Sequence, residues 1–140
     1  MTREAILDLC KRRQRAMDAR DVEALAALHA EAGELDSPLA GSSRGREAAR
    51  RVYAAFFAAF PDAVETTDPP IVDGDRVAIV ATVAGTHAGE FMGLPASGKS
   101  FRFSIAHVLT VRDGLIVRER RIYDFTGFLL QLGVLKAKPV

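Results

Sequence analysis

A histidine interrupts the most regular hydrophobic alternation in the chain. In F-R-F-S-I-A-H-V-L-T-V, residues 101–111, the side chains of Phe101, Phe103, Ile105, His107, Leu109 and Val111 share one strand face. Position 107 is where that alternation calls for another hydrophobe. An imidazole in such a place is either a core group with one hydrogen-bond partner or, beside a carboxylate, an acid/base or polarising group working near neutral pH. Its candidate partner is Asp124, in I-Y-D-F-T-G-F-L-L-Q-L-G, where a strand runs into a short apolar helix. A carboxylate there is costly unless it is paired, solvated or used. It is equally well placed to cap the helix that follows. Which face Asp124 takes depends on the hairpin at Asp113-Gly114. A two-residue turn pairs Arg112 with Leu115, sets His107 opposite Arg120 and brings Asp124 to the His107 face; a three-residue loop turns Glu119, Arg121 and Tyr123 inward instead. The Asp-Gly pair favours the two-residue turn. Asp36, in E-L-D-S-P, reads as ordinary turn chemistry.

Other chemistries find little support. There is no H-x-x-x-H or clustered Cys/His spacing for a metal, no glycine loop opening a helix for phosphate, and no G-x-S-x-G elbow, so neither metal nor cofactor is expected. Cys10 is the one cysteine, which excludes an internal disulfide, and it reads as a small buried hydrophobe. His29 is expected to close the second helix as a partner for its dipole, and His87 lies in a glycine-flanked segment.

The elements that must position these groups divide the chain. Thr2 can cap a first helix running to about Ala19, and Asp21 a second, shorter one. Residues 33–45 read as loop with a short strand near Leu35. Arg46 to Phe60 forms a third helix, with Val52, Tyr53, Phe56, Phe57 and Phe60 at helical spacing, stopped by Pro61. Strands follow: the run after Val72 is apolar on both faces, so both are expected to be covered. The 101–111 strand and its partner, Leu115 to Asp124, complete an antiparallel set. Helices first and long strands after predict an α+β domain, its curved antiparallel sheet wrapped around the N-terminal helices and enclosing an apolar cavity. Phe56, Phe103, Ile105 and Tyr123 are the expected cavity wall.

At 140 residues, 49% of them hydrophobic, the chain is expected to be one domain, 1–140, with a real core. The net charge of +1 is spread, and the run Lys11-Arg12-Arg13 reads as the solvated face of the first helix, so no nucleic-acid partner is expected. No apolar run approaches the roughly 18 residues a membrane span needs, and no signal peptide opens the sequence, so the expected location is cytoplasmic with no membrane partner.

Four stretches resemble the SnoaL-like polyketide cyclases and ketosteroid-isomerase-like proteins of the nuclear-transport-factor-like superfamily. They are R-D-V-E-A (20–24), G-R-E-A-A-R-R-V-Y-A-A-F-F-A-A-F-P-D (45–62), G-T-H-A-G-E-F-M-G-L-P-A-S-G-K (85–99) and the segment from Asp113 to Val134. The resemblance implies a cone-shaped fold with an apolar pocket, a small hydrophobic ligand or substrate, and a homodimer. In the cyclases an aspartate on the last strand is the acid/base for an aldol ring closure, with a histidine on the preceding strand; Asp124 and His107 resemble those positions. Asp36 resembles the general-base aspartate of the ketosteroid isomerases, while Arg13 or a neighbour stands where their first-helix tyrosine would be. The function so implied is a cofactor-free enzyme using a carboxylate acid/base on a hydrophobic carbonyl compound. The competing reading is a non-catalytic ligand-binding or dimerisation module of the same fold.

Overall fold

The Thr2 hydroxyl accepts the Ala5 N–H and starts helix α1, Arg3–Asp18. This computed structural model describes residues 1–136. Ile6, Leu9, Cys10, Ala16 and Met17 form the buried stripe of α1, and Arg13 falls in the same stripe. Lys11 and Arg12 are exposed as a solvated face requires, but Arg13 is 1% exposed, which corrects that reading for this residue: helical period, not charge, decides which side of α1 it occupies. Arg20, at φ 54°, breaks the helix, and Asp21 caps α2, Val22–Ala27, by accepting the Ala24 N–H.

His29 does not end this helix. It opens strand β1, His29–Ser37, which turns back into β2, Gly41–Arg44, so the expected loop of residues 33–45 is a hairpin. Its outward residues are polar, and that hid the strand from a hydrophobicity pattern. Helix α3, Arg46–Ala59, ends at Phe60, just before Pro61. Strands β3, Val64–Thr67, and β4, Ile71–Asp73, lead into β5, Arg76–Thr86; β6, Ser100–Arg112, and β7, Leu115–Tyr123, follow, and α4, Phe125–Gln131, closes the described chain.

The strands form one sheet in the order β2-β1-β7-β6-β5-β3, with β4 also on β5. Every pairing is antiparallel except β1 with β7, which run parallel. The fold is α+β, a curved and unclosed sheet with helices in its hollow. On β5 the inner face, Val77, Ile79, Ala81 and Val83, is buried as alternation requires. On the outer face Val80 is exposed, and so is Ile122 on β7, across Ala106 of β6, so among the described residues only one face of this apolar strand is fully enclosed.

The β6–β7 hairpin decides what faces inward. Asp113 and Gly114 both have positive φ, 52° and 80°, as a tight two-residue turn demands, and Arg112 pairs with Leu115. The register then shifts: Val111 pairs with Ile116, but Thr110 pairs with Arg118, leaving Val117 as an extra residue in β7. This bulge inverts the face of everything after it. His107 therefore sits opposite Arg121, not Arg120, and Glu119, Arg121 and Tyr123 point into the hollow. The turn is the expected one, yet the inward set belongs to the alternative.

Candidate functional site

A cavity of about 430 Å³ lies between α3 and the inner face of β5, β6 and β7. Its wall is mainly apolar. Phe56 comes from α3, Phe103 and Ile105 from β6, Tyr123 from β7 and Val83 from β5. The Phe103 and Tyr123 rings stack at 5.1 Å with a 25° tilt. The loop between β5 and β6 adds Phe91 and Met92. That loop is held at its base by His87, whose buried Nδ1 accepts the Ser97 N–H at 3.2 Å and lies 2.9 Å from the Ser97 hydroxyl. Ala40, Arg51, Ala55, Ala58, Glu90 and Met92 are the exposed members of the lining, so they mark its rim.

The inner end of the cavity is charged. Arg13, Glu65, His107 and Arg121 line it, and Glu119 lies behind them, fully buried. Arg13 Nη1 donates to Glu65 Oε1 at 3.0 Å. His107 is gripped on both sides: Nδ1 lies 3.1 Å from Glu119 Oε2, and Nε2 lies 3.2 Å from Glu65 Oε1. Only a doubly protonated ring can donate to both carboxylates at once. Arg13 Nη2 stands 3.3–3.4 Å from both ring nitrogens, a position shared between them and not a bond along either lone pair. The Arg121 Nε donates to Glu119, and its guanidinium lies over the Tyr53 ring, 5.1 Å from the centroid. His29 Nε2 is 3.4 Å from the Tyr53 hydroxyl and 3.8 Å from Glu119 Oε1.

The electrostatics follow from burial set against pairing. Burial pushes the Glu65 carboxyl up, but the charges of Arg13 and His107 outweigh it and hold Glu65 well below the usual carboxylate range. Glu119 behaves alike: burial raises it, and Arg121, His107 and Arg13 more than reverse that. Both carboxylates are ionised and are weak bases. For His29 burial wins, despite Glu119, and its pKa falls to about 4, so this imidazole is neutral at pH 7. Burial also raises the Tyr53 and Tyr123 phenols.

Of the residues singled out from the sequence, His107, Phe56, Phe103, Ile105 and Tyr123 all line this one cavity. The two aspartates do not. The Asp124 carboxylate accepts the Gly127 N–H at 2.9 Å and caps α4. The bulge has carried the inward alternation to Tyr123, one residue short of it. Asp36 lies on the opposite face of β1 from buried Leu35, with its carboxylate 3.3 Å from Arg118 Nη2. The carboxylates at His107 are Glu65 and Glu119 instead. Glu119 was legible only as the alternative register. Glu65 lies in V-E-T-T, a strand too short for its pattern to speak. Arg13 carried a usable signal, since residues 6, 9, 10, 13, 16 and 17 form one helical stripe. Among the described residues no three His, Cys, Asp or Glu side chains are placed to hold a metal ion, and no helix is long and apolar enough to cross a membrane.

Comparison with known proteins gives this geometry a family. The family model described as SnoaL-like polyketide cyclase matches residues 8–132. A comparison with curated proteins found no match. Among solved structures, TsrD from Streptomyces laurentii aligns with a TM-score of 0.84 at 25% identity, over 96% of this chain and 99% of that one. IdmH from Streptomyces antibioticus, a candidate polyketide cyclase, is 33% identical with a TM-score of 0.75, over 90% and 96% of the two chains. AclR from Streptomyces galilaeus, a candidate hydroxylase, shares the fold at 24% identity and a TM-score of 0.80, over 94% and 83%. With the match spanning nearly all of α1 through α4, the chain belongs to the SnoaL-like polyketide cyclase family.

Proposed function

We propose that this protein, acting as one SnoaL-like domain over 1–140, is an acid/base enzyme on a hydrophobic carbonyl compound, with His107 as the proton-transfer group. The reaction class is an aldol ring closure of the polyketide-cyclase type or the simpler keto–enol isomerisation. The observation that carries this reading is His107 at the inner end of an apolar cavity with a carboxylate on each ring nitrogen. Glu119, wholly buried, is a positioning residue that fixes the ring through Nδ1. Nε2 faces Glu65, which lines the cavity, and is therefore the nitrogen that exchanges a proton with substrate. In its neutral form Nε2 takes the proton from the carbon next to the carbonyl. The C–H electron pair becomes the enolate, the enolate carbon attacks a second carbonyl of the same molecule, and the imidazolium returns the proton to the resulting alkoxide. The ionised carboxylates are too weakly basic for the first step and instead stabilise the imidazolium.

The test is deuterium exchange at the α-carbon, followed by NMR, across a panel of enolisable polyketide-like and steroid-like ketones. His107→Gln, checked for folding by circular dichroism, should lose about 10²–10⁴-fold in exchange rate. Asp124→Asn and Asp36→Asn should retain it. A collapse in either aspartate variant would return the acid/base role to the residues the sequence favours. A protein that binds the panel yet exchanges nothing is the binding module of the competing reading, for which the fully ion-paired state of both glutamates speaks. The assembly we propose is a homodimer in which a second copy covers the outer sheet face around Val80 and Ile122, and light scattering of the eluted protein checks it.

A further inference from the structure

The charged end of the cavity does not present its groups equally. The Glu119 side chain is fully buried, and those of Arg13, Glu65 and His107 keep 2–3% exposure, whereas Arg121 keeps 13%. Whatever polar atom of a ligand reaches this end therefore meets Arg121 first. The guanidinium is also pre-set. Glu119 holds Nε and the Tyr53 ring lies along it, yet Nη2 is buried with no hydrogen-bond partner among the described residues. A guanidinium stays charged in any protein, and a planar fork with donors unspoken for suits the two oxygens of an acid group.

The surrounding charges leave room for such a group. Arg13 is matched by Glu65 and Arg121 by Glu119, so the ion pairs cancel. His107 adds one positive charge when its ring donates to both carboxylates. Neighbouring His29 is neutral, and the outer lining carries one residue of each charge, Arg51 and Glu90. The net field at the inner end is neutral to positive, and its accessible element is a cation. Along the same cavity lie the stacked rings of Phe103 and Tyr123, with Phe56 from α3, which favour a flat apolar body.

We propose that Arg121 is the anchor for an ionised oxygen acid on a flat hydrophobic ligand, so that this cavity selects acidic aromatic or polyenic compounds over their neutral counterparts. This rests on the cavity being the ligand site and deepens the reading above by naming the ligand's charge.

Calorimetric titration at pH 7 with 2-naphthoate and with methyl 2-naphthoate tests it on the unaltered protein. The acid should bind at least about tenfold more tightly than the ester. Arg121→Gln should erase that preference and leave ester affinity within about twofold, since the apolar contacts remain. Because this change strips a partner from Glu119, Arg121→Lys is the second variant: it keeps the charge, loses the planar fork, and should lose part of the acid preference with ester binding unchanged. An ester bound as tightly as the acid overturns the anchor while the cavity reading stands. Failure of both probes to bind overturns the two together.

Discussion

Along the β5–β6 ladder, Val77 pairs with Leu109 and Ile79 with His107, while a few residues on Ala81 pairs with Ile105 and Val83 with Phe103. Of the first set, Val77, Ile79 and Leu109 pack against Ile6, Leu9 and Cys10 of α1 in an aliphatic cluster. The second belongs to an aromatic cluster with Phe60, Phe101 and Phe128 and borders the cavity. Both halves follow the same in-out alternation. What differs is size and covering: α1 fills its half with branched side chains, whereas α3 turns Ala48, Ala55 and Ala58 toward the cavity with Phe56. Alternation thus decides which residues are inside, and side-chain volume decides whether the inside is solid. His107 sits at the boundary between the solid half and the hollow one.

The sharpest way to break this contrast is at the boundary itself. Glu65→Gln removes the partner of buried Arg13 and should cost about 3–5 kcal/mol in denaturant unfolding, the penalty of an uncompensated internal charge. A loss below about 1 kcal/mol would mean the charged end is not held by its ion pairs. Next, Leu109→Ala in the solid half should cost about 2–5 kcal/mol because it creates a cavity. Phe103→Ala enlarges a space already present, so its cost should be at least about 1 kcal/mol smaller despite the larger group removed.

A smaller effect is expected from pH. Folded His29 takes a proton only near pH 4, with burial the main cause and Glu119 opposing it; unfolded, it takes one near 6.5. The unfolded chain therefore binds more protons between those values. The stabilisation of neutral His29 is complete above about pH 6.5 and fades as pH falls toward 4, by up to about 3 kcal/mol. Glu65 and Glu119, held below the usual carboxylate range, lose their contribution only at lower pH. Unfolding curves at pH 7 and pH 4.5 for wild type and His29→Gln should differ in slope within this window. Parallel curves would contradict the assignment. Last, Asp124→Ala should cost only about 1 kcal/mol, the worth of an N-cap, with no change in ligand affinity.

Much of this was legible in the sequence, and the failures share a physical cause. Tyr53, Phe56, Phe103, Ile105 and His107 were readable because period 3.6 or 2 runs unbroken through their elements. Asp124 was misplaced by a single residue, Val117, which looks like any other strand residue in L-I-V-R-E but shifts the register by one. Once β7 is out of phase, Glu119 and Arg121 replace Arg120 and Ile122 on the inner side. Glu65 was invisible because a short strand's identity comes from its neighbour, here β5, and not from its own composition. Arg13 is hard to read because its charge argues for the surface while its helical phase places it on the buried stripe.

The parallel pairing of β1 with β7 has a consequence for the order in which the molecule can be made. Leu35 lies beside Glu119, so the first strand of the chain waits for the last. The contacts at the charged end span equally long separations, 52 residues between Arg13 and Glu65 and 94 between Arg13 and His107. During synthesis α1 therefore leaves the ribosome with an arginine on its apolar stripe and no counter-ion, and the carboxylate that positions His107 emerges only with β7. Such late, non-local closure slows folding and prolongs exposure of the outer and inner sheet faces. The chemistry of this chain is assembled in one closing event near its C-terminal end, and before that event the nascent protein has neither a cavity nor a neutralised core.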